Sequence, residues 1–420
     1  MVEKSVIKRL IAEYQEFVTG IRFVKRDIEV DYTRCNVFVG LRRAGKSYLM
    51  YQCIRQLIDN GMEPESVLFF NFEDDRVAEM KLSDLDNIKN CYEEMYPFKP
   101  VFFLDELQIV EGWEKFARRL ADTGYQVFIT GSNAKMLSSE IATTLGGRYA
   151  LTEVFPFSFR EFLAAKKTEI KSNWQYLPSN DIKRGFSEYF KMGGLPEVVE
   201  ATPQFKRKWL SSLFDRIYFG DLVARNDIRK HESLKSLIRK LSESIGRPLT
   251  VNRAASIVSE SGTPLRQETA ASYLGYMEQA WLIFPMENYI GKLTEKISIK
   301  KYYYIDNGIV TLFKDSVDGL LLENLLAIAL RKRYADGVYF YRHNFEVDFY
   351  IPNEATAIQA SYSIADPDTR ERECKALESL HTFRQLKRAV IITYDEEETI
   401  LRPSGLEIQA IPLWKYLLSY

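Results

Sequence analysis

Apolar and charged positions in MVEKSVIKRLIAEYQEFVTG recur with helical spacing, which predicts an amphipathic helix over residues 1–20. Short apolar runs then alternate with helical patterns: CNVFVG (35–40), KSYLMYQCIRQLID (46–59), VLFFNF (67–72), VFFLDE (101–106), a helix around Trp113–Ala121, and QVFITGS (126–132). Near-continuous apolar runs of this length, separated by helices, predict a parallel sheet covered on both faces. From about Ser158 to Arg239 the pattern is mainly helical, interrupted by GGLPE at 193–197. Residues 242–300 read as short helices in LTVNRAASIVSES and PLRQETAASYLGYMEQA, followed by a hairpin, WLIFPMENY and KISIKKYYYI. The remainder mixes helix and strand again: LLENLLAIALRKRY, VYFYRH, EVDFYI, AIQAS, a charged helix near TRERECKALESLHTF, and RAVIITY. The fold class is therefore α/β, with expected boundaries at 1–157, 158–241, 242–307 and 308–420.

The strongest chemical signal is GLRRAGKS, Gly40 to Ser47, which satisfies GxxxxGK[ST] between a predicted strand and a predicted helix. Gly40 and Gly45 would let the backbone approach phosphates closely. Leu41, Arg42, Arg43 and Ala44 complete the loop, and Tyr48 follows it. Amides from about Arg43 to Ser47 would meet the β-phosphate at a helix N-terminus, where the dipole favours anions. Lys46 would offset β/γ charge and the Ser47 hydroxyl would ligate Mg²⁺, so ATP with Mg²⁺ is the expected ligand pair. VFFLDE ends an apolar strand in two acids: Asp105 to hold Mg²⁺ through water, Glu106 to act as general base. With VLFFNF as the intervening strand, the Asp-Glu pair favours the nucleotide-binding class in which a strand separates the two motif strands. QVFITGSN ends in small polar residues, and Ser132 or Asn133, with Thr130 behind them, would sense the γ-phosphate. Arg148 in GGRYA suits a finger that completes a neighbouring subunit's site, which would imply a homo-oligomer.

Taken together, these residues make the chain resemble a family of bacterial and archaeal AAA-type P-loop ATPases. Their second half pairs a winged helix with a restriction-endonuclease-like domain of unknown function. The matching strings are GLRRAGKS, LDELQIVEGWE, ITGSNAKML, LGGRYALTEVFPFSFREFL, GGLPEVV, YYYIDNGI and EVDFYI, in order along nearly the whole chain. Gln108 and Trp113 fall within the second string. The resemblance implies ATP binding, a helical lid after the ATPase core and an association with DNA.

In the second half, Leu265, Ala271, Leu274 and Met277 at helical spacing, then a hairpin bearing Lys292, Lys296, Lys300 and Lys301, resemble a winged helix. Its second helix would enter a major groove, with Arg266, Gln267 and Ser272 facing DNA. The C-terminal part resembles the restriction-endonuclease fold, with Glu323 on a helix and Asp348 on a strand. Where such nucleases carry acid-x-Lys, this chain has Gln359 and Ser361. A neutral amide anchors Mg²⁺ poorly and serine supplies no positive charge, so the expected state is a degenerate site. Glu346 shares the strand face of Asp348 and is the one acid able to substitute.

Composition narrows this further. Among 420 residues, Lys+Arg of 57 against Asp+Glu of 58 excludes a uniformly basic nucleic-acid protein, although not a local basic face. The length predicts two to four domains. Cys35, Cys53, Cys91 and Cys374 lack CxxC spacing, which argues against zinc and a disulfide framework. No apolar signal core or membrane span is apparent, so a cytoplasmic location with no membrane partner is expected. The expected function is an ATP-driven switch or remodeller acting on DNA or a protein. Its rivals are an ATP-gated nuclease and a signalling ATPase that senses a protein without touching DNA.

Overall fold

Five consecutive buried residues, Cys35–Val39 (β1), can be satisfied only inside a sheet covered on both faces, and that is where they lie. The computed structural model describes residues 2–133, 136, 143–176, 178–260, 262–291, 299–314 and 318–419. The chain divides into two compact units, Met1–Phe155 and Pro156–Tyr420. The first break falls two residues before the expected 157, and the three segments expected beyond it lie within one unit.

In the first unit a helix, Lys4–Gly20 (α1), buries Ile7, Leu10, Ile11 and Val18, one stripe at helical spacing. After β1 come Lys46–Asp59 (α2), Val67–Asn71 (β2), Leu85–Met95 (α3), Val101–Asp105 (β3), Trp113–Asp122 (α4), Val127–Gly131 (β4) and Tyr149–Glu153 (β5). The sheet order is β2-β3-β4-β1-β5, with every pairing parallel. One strand does separate the two motif strands β1 and β3, but it is β4; VLFFNF lies beyond β3 at the sheet edge. Sequence order hides this, because β4 follows β1, β2 and β3 in the chain yet pairs between β1 and β3. Phe103 and Phe128 stack at 4.5 Å between ring centroids, and Phe38, Phe69 and the α2 residues Leu49, Met50, Cys53 and Ile54 close around them. Because the strands are parallel, the C-terminal ends of β1, β3 and β4 share one sheet edge, where ligands of open α/β sheets bind.

In the second unit a run of helices, among them Phe159–Ala165, Asn180–Met192, Pro203–Arg216 and His231–Ser242, precedes a small antiparallel sheet. Its strands are Leu249–Thr250 (β6), Ile283–Glu287 (β7) and Ile299–Tyr304 (β8), in the order β6-β8-β7, with helices Val251–Glu260 and Gln267–Gln279 between the first two. Arg266, Gln267 and Ser272 are exposed, and so is Ala271, whose expected core place Ala270 takes. Lys292 and Lys296 lie outside the described residues. Lys300 is half-buried and Lys301 wholly buried, so Lys301 is no surface residue of a phosphate-touching hairpin. A six-stranded sheet follows, built from Tyr339–Arg342 (β9), Glu346–Ile351 (β10), Thr356–Ala360 (β11), Arg388–Thr393 (β12), Glu398–Leu401 (β13) and Glu407–Pro412 (β14), in the order β13-β14-β12-β11-β10-β9.

Asp306 ties two of the recognised strings together. Its carboxylate accepts N–H groups from Gly194, in GGLPE, and from Gly308, each at 2.8 Å. A Cβ on Gly193, whose φ is 76°, would fall 1.8 Å from Asp306 Oδ1, which explains why glycine stands there. All four cysteines are buried and unpaired. Among the described residues no helix is long and apolar enough to cross a membrane.

Candidate nucleotide site

The loop after β1 is held in a conformation that demands its glycines. Gly40 has φ 155°, and a Cβ there would lie 2.2 Å from the Val154 carbonyl oxygen. Gly45 has φ 95° and caps the N-terminus of α2, so the free amides at the start of that helix face the loop. Arg43 between them also has a left-handed backbone, at φ 61°. Leu41 and Ala44 are buried beneath the loop, while Arg42 pairs with Glu73 at 2.9 Å. Tyr48 is half-exposed and packs edge-on against Tyr51. Arg26, which no motif marks in the sequence, fixes the loop from below. Its guanidinium is buried and donates to Ala44 O at 2.9 Å and to Phe155 O at 2.7 Å.

Lys46, only 4% exposed, donates to Gly40 O and Leu41 O at 3.3 and 3.1 Å and lies 3.4 Å from Glu106 Oε1. The Ser47 hydroxyl donates to the Asp105 carboxylate, whose oxygens are 3.0 and 2.8 Å away. Thr130 Oγ1 donates to Asp105 Oδ1 at 2.5 Å and accepts the Glu106 N–H at 2.8 Å. The sheet thus brings the loop of β1, the acids ending β3 and the polar end of β4 into one cluster. Burial, then the neighbouring Glu106, pushes the Asp105 carboxyl up to about 6, against the pull of Thr130, Ser47 and Lys46. Burial would also raise Glu106, but the Lys46 ammonium and the Gln108 amide outweigh it and leave the carboxyl below its usual range. A pair of adjacent buried acids with a hydroxyl beside them is a donor set that fits a hard divalent cation.

Ser132 is buried next to this cluster, its hydroxyl close enough to the Glu106 carboxyl to help hold it down, and Asn133 follows it just beyond β4. Arg148 does not join. It precedes β5, whose Tyr149 pairs with Cys35 at the opposite end of β1 from the loop, and its guanidinium pairs with Asp122. As a residue of its own chain's site, Arg148 is excluded by four strand residues' length of sheet.

The C-terminal candidates form a second cluster, with one member that sequence reasoning placed on the hairpin. Lys301 Nζ lies 2.9 Å from Glu346, 3.1 Å from Asp348 and 3.5 Å from Glu323. Tyr303 donates to Glu323 at 2.9 Å, and Gln359 accepts the Asp348 N–H at 2.7 Å while donating to Glu373 at 2.9 Å. Ser361 turns away to the Ser363 carbonyl. The cation missing at position 361 is therefore supplied by β8, 60 residues earlier in the chain. Among the described residues no group of three His, Cys, Asp or Glu side chains is placed to hold a metal.

Residues 32–163 match the AAA domain family, and residues 183–316 match a domain of unknown function. An uncharacterized protein of Methanocaldococcus jannaschii, MJ1544, is 33% identical over 100% of this chain and 97% of its own length. An uncharacterized protein of Haemophilus influenzae is 31% identical over 90% of this chain and 93% of its own. The Walker-type ATPase PABY2304 of Pyrococcus abyssi aligns over 74% of this chain and 96% of its own at 12% identity. The TM-score is 0.41, too slight a likeness to carry an argument.

Proposed function

The chain belongs to the family of these full-length relatives, one built on an AAA domain, and we propose that it binds and hydrolyses ATP with Mg²⁺ to switch or remodel a partner. The observation that carries this reading is the meeting of Ser47, Asp105 and Thr130 in one hydrogen-bonded cluster, with Glu106 bonded to the same Thr130 and 3.4 Å from Lys46. Ser47 and Asp105 are the residues that would hold Mg²⁺, which when bound offsets phosphate charge. The α2 amides and Lys46 bind and orient the triphosphate. Glu106 takes the proton of the attacking water.

The partner class is DNA or protein. Exposed Arg266, Gln267 and Ser272 at the start of helix Gln267–Gln279 favour DNA, because a helix N-terminus presenting such side chains suits a major groove. A signalling ATPase that never touches DNA would show no binding in a mobility-shift series, whereas phosphate contacts give a steep salt dependence.

The test of hydrolysis is Glu106→Gln. It should bind ATP as wild type does and turn it over about 10²-fold more slowly or worse, the scale of a lost general base. Wild-type turnover in that variant would remove Glu106 from the mechanism, and an inactive wild type would remove hydrolysis altogether.

A further inference from the structure

Glu106 has φ 55°, a left-handed backbone that a non-glycine residue adopts only when its surroundings impose it. Two bonds impose it here: its N–H to Thr130 Oγ1, and its carbonyl accepting the Ile109 N–H at 3.1 Å. The tight turn Leu107–Ile109 that results folds Gln108 back over the residue two places before it. Gln108 Nε2 then donates to Glu106 Oε2 at 2.5 Å. A carboxylate can only accept, so the amide must face it with its N–H₂ and aim its carbonyl elsewhere. That carbonyl oxygen, Oε1, is buried and has no partner in the protein. It points towards the end of β4, where a Cβ on Gly131 would lie 2.8 Å from it. The next residue is Ser132, 1% exposed, whose hydroxyl approaches the Glu106 carboxyl from the end of β4. Buried polar atoms are met by protein, water or ligand in nearly all folded chains. An unmet carbonyl oxygen and a hydroxyl, both beside the base, mark a place for a small polar molecule.

We propose that Gln108 is a positioning residue of the hydrolytic site: its amide fixes Glu106, and its carbonyl oxygen joins Ser132 Oγ in holding the attacking water. This rests on the ATP-hydrolysis reading above. The water's oxygen bonds to the γ-phosphorus as the bond to the bridging oxygen breaks, and the proton it sheds passes to Glu106. Gln108 touches the water through its carbonyl, but its larger effect runs through the carboxylate it orients.

The experiment uses the full chain with Gln108→Met, which keeps the length and removes the amide, and Gln108→Glu. Affinity for a non-hydrolysable ATP analogue is measured by calorimetry, and kcat at saturating ATP. Gln108→Met should bind the analogue as wild type does and lose roughly tenfold or more in kcat, a split that a merely structural role would not give. Gln108→Glu, which replaces the donor facing Glu106 with an acceptor, should lose at least as much. Unchanged kcat, or a loss of analogue affinity that matches the loss of kcat, overturns the proposal. If Gln108→Met does not fold, the pair Ser132→Ala and Ser132→Ala with Gln108→Glu decides it. Groups that share one water are coupled, so the double loss should fall short of the product of the single losses, and fully multiplicative losses overturn the shared site. Should wild type hydrolyse ATP through Glu106 while both Gln108 variants behave normally, the ATPase reading stands and this one falls.

Discussion

Asp306 Oδ2 accepts the Gly194 N–H at 2.8 Å across 112 positions of sequence, while Oδ1 of the same carboxyl caps the turn that begins at Asn307. Burial pushes this carboxyl from 3.8 up to about 7, with the Gly194, Gly308 and Ile309 N–H groups and Lys332 only partly opposing it. Between those values the folded chain holds a proton that the unfolded chain has released. The group's contribution to stability is therefore full below about pH 4 and falls as pH rises towards 7. Thermal melts across that range should show wild type losing its advantage over Asp306→Asn as pH rises. Parallel slopes would mean that Asp306 ionises as an ordinary carboxyl.

Lys46 touches both the phosphate loop and the candidate base. Lys46→Ala should abolish tight ATP binding, because nothing else in the loop places an ammonium at the β/γ position. Calorimetric titration with ATP and Mg²⁺ checks this, and an unchanged affinity would remove GLRRAGKS from nucleotide binding.

Lys301 is the counter-charge for Glu323, Glu346 and Asp348. Lys301→Met leaves three carboxylates facing one another, and removing one partner of such a buried group costs about 3–5 kcal/mol. Burial and Asp348 already raise Glu323 to about 7, against the pull of Lys301. Without the lysine it would protonate more readily still, so the variant should regain stability as pH falls. Denaturant midpoints at pH 8 and pH 5.5 measure both effects, and a loss that is the same at both values would contradict the charge argument.

The same cluster should not cut DNA. Lys301 supplies the missing charge, but it sits within ion-pair distance of all three acids, and Gln359 is committed to Asp348 and Glu373. Plasmid and single-stranded DNA incubated with Mg²⁺ or Mn²⁺, with and without ATP, should remain intact. Cutting that disappears in Asp348→Ala would establish a nuclease instead.

The phosphate loop, α2 and the acids ending β3 were legible because each is a local pattern: residues that act together are close in sequence. The order of the sheet was not, since VLFFNF and QVFITG are equally apolar and only the long-range pairing of β4 with β1 and β3 separates them. β5 escaped because an edge strand, half-exposed along YALTE, lacks the continuous apolar run of its neighbours. Arg148 was read from its GGR setting as a finger for a neighbouring subunit's site; its place before β5, paired with Asp122, bears only on the site of its own chain. Lys301 was read as one of four hairpin lysines, and only the packing of β8 shows that its charge faces inward.

The four buried cysteines are divided three to one, with Cys35, Cys53 and Cys91 in the first unit and Cys374 in the second. A buried thiol reacts only when its surroundings open, so the native chain carries a separate clock in each half. Exposed to a thiol reagent under mildly destabilising conditions, molecules that open the first half gain three labels, and those that open the second gain one. The mass spectrum of a single time course would then rank the two halves by opening rate, without an engineered probe, and repeating it with ATP would show which half the nucleotide steadies.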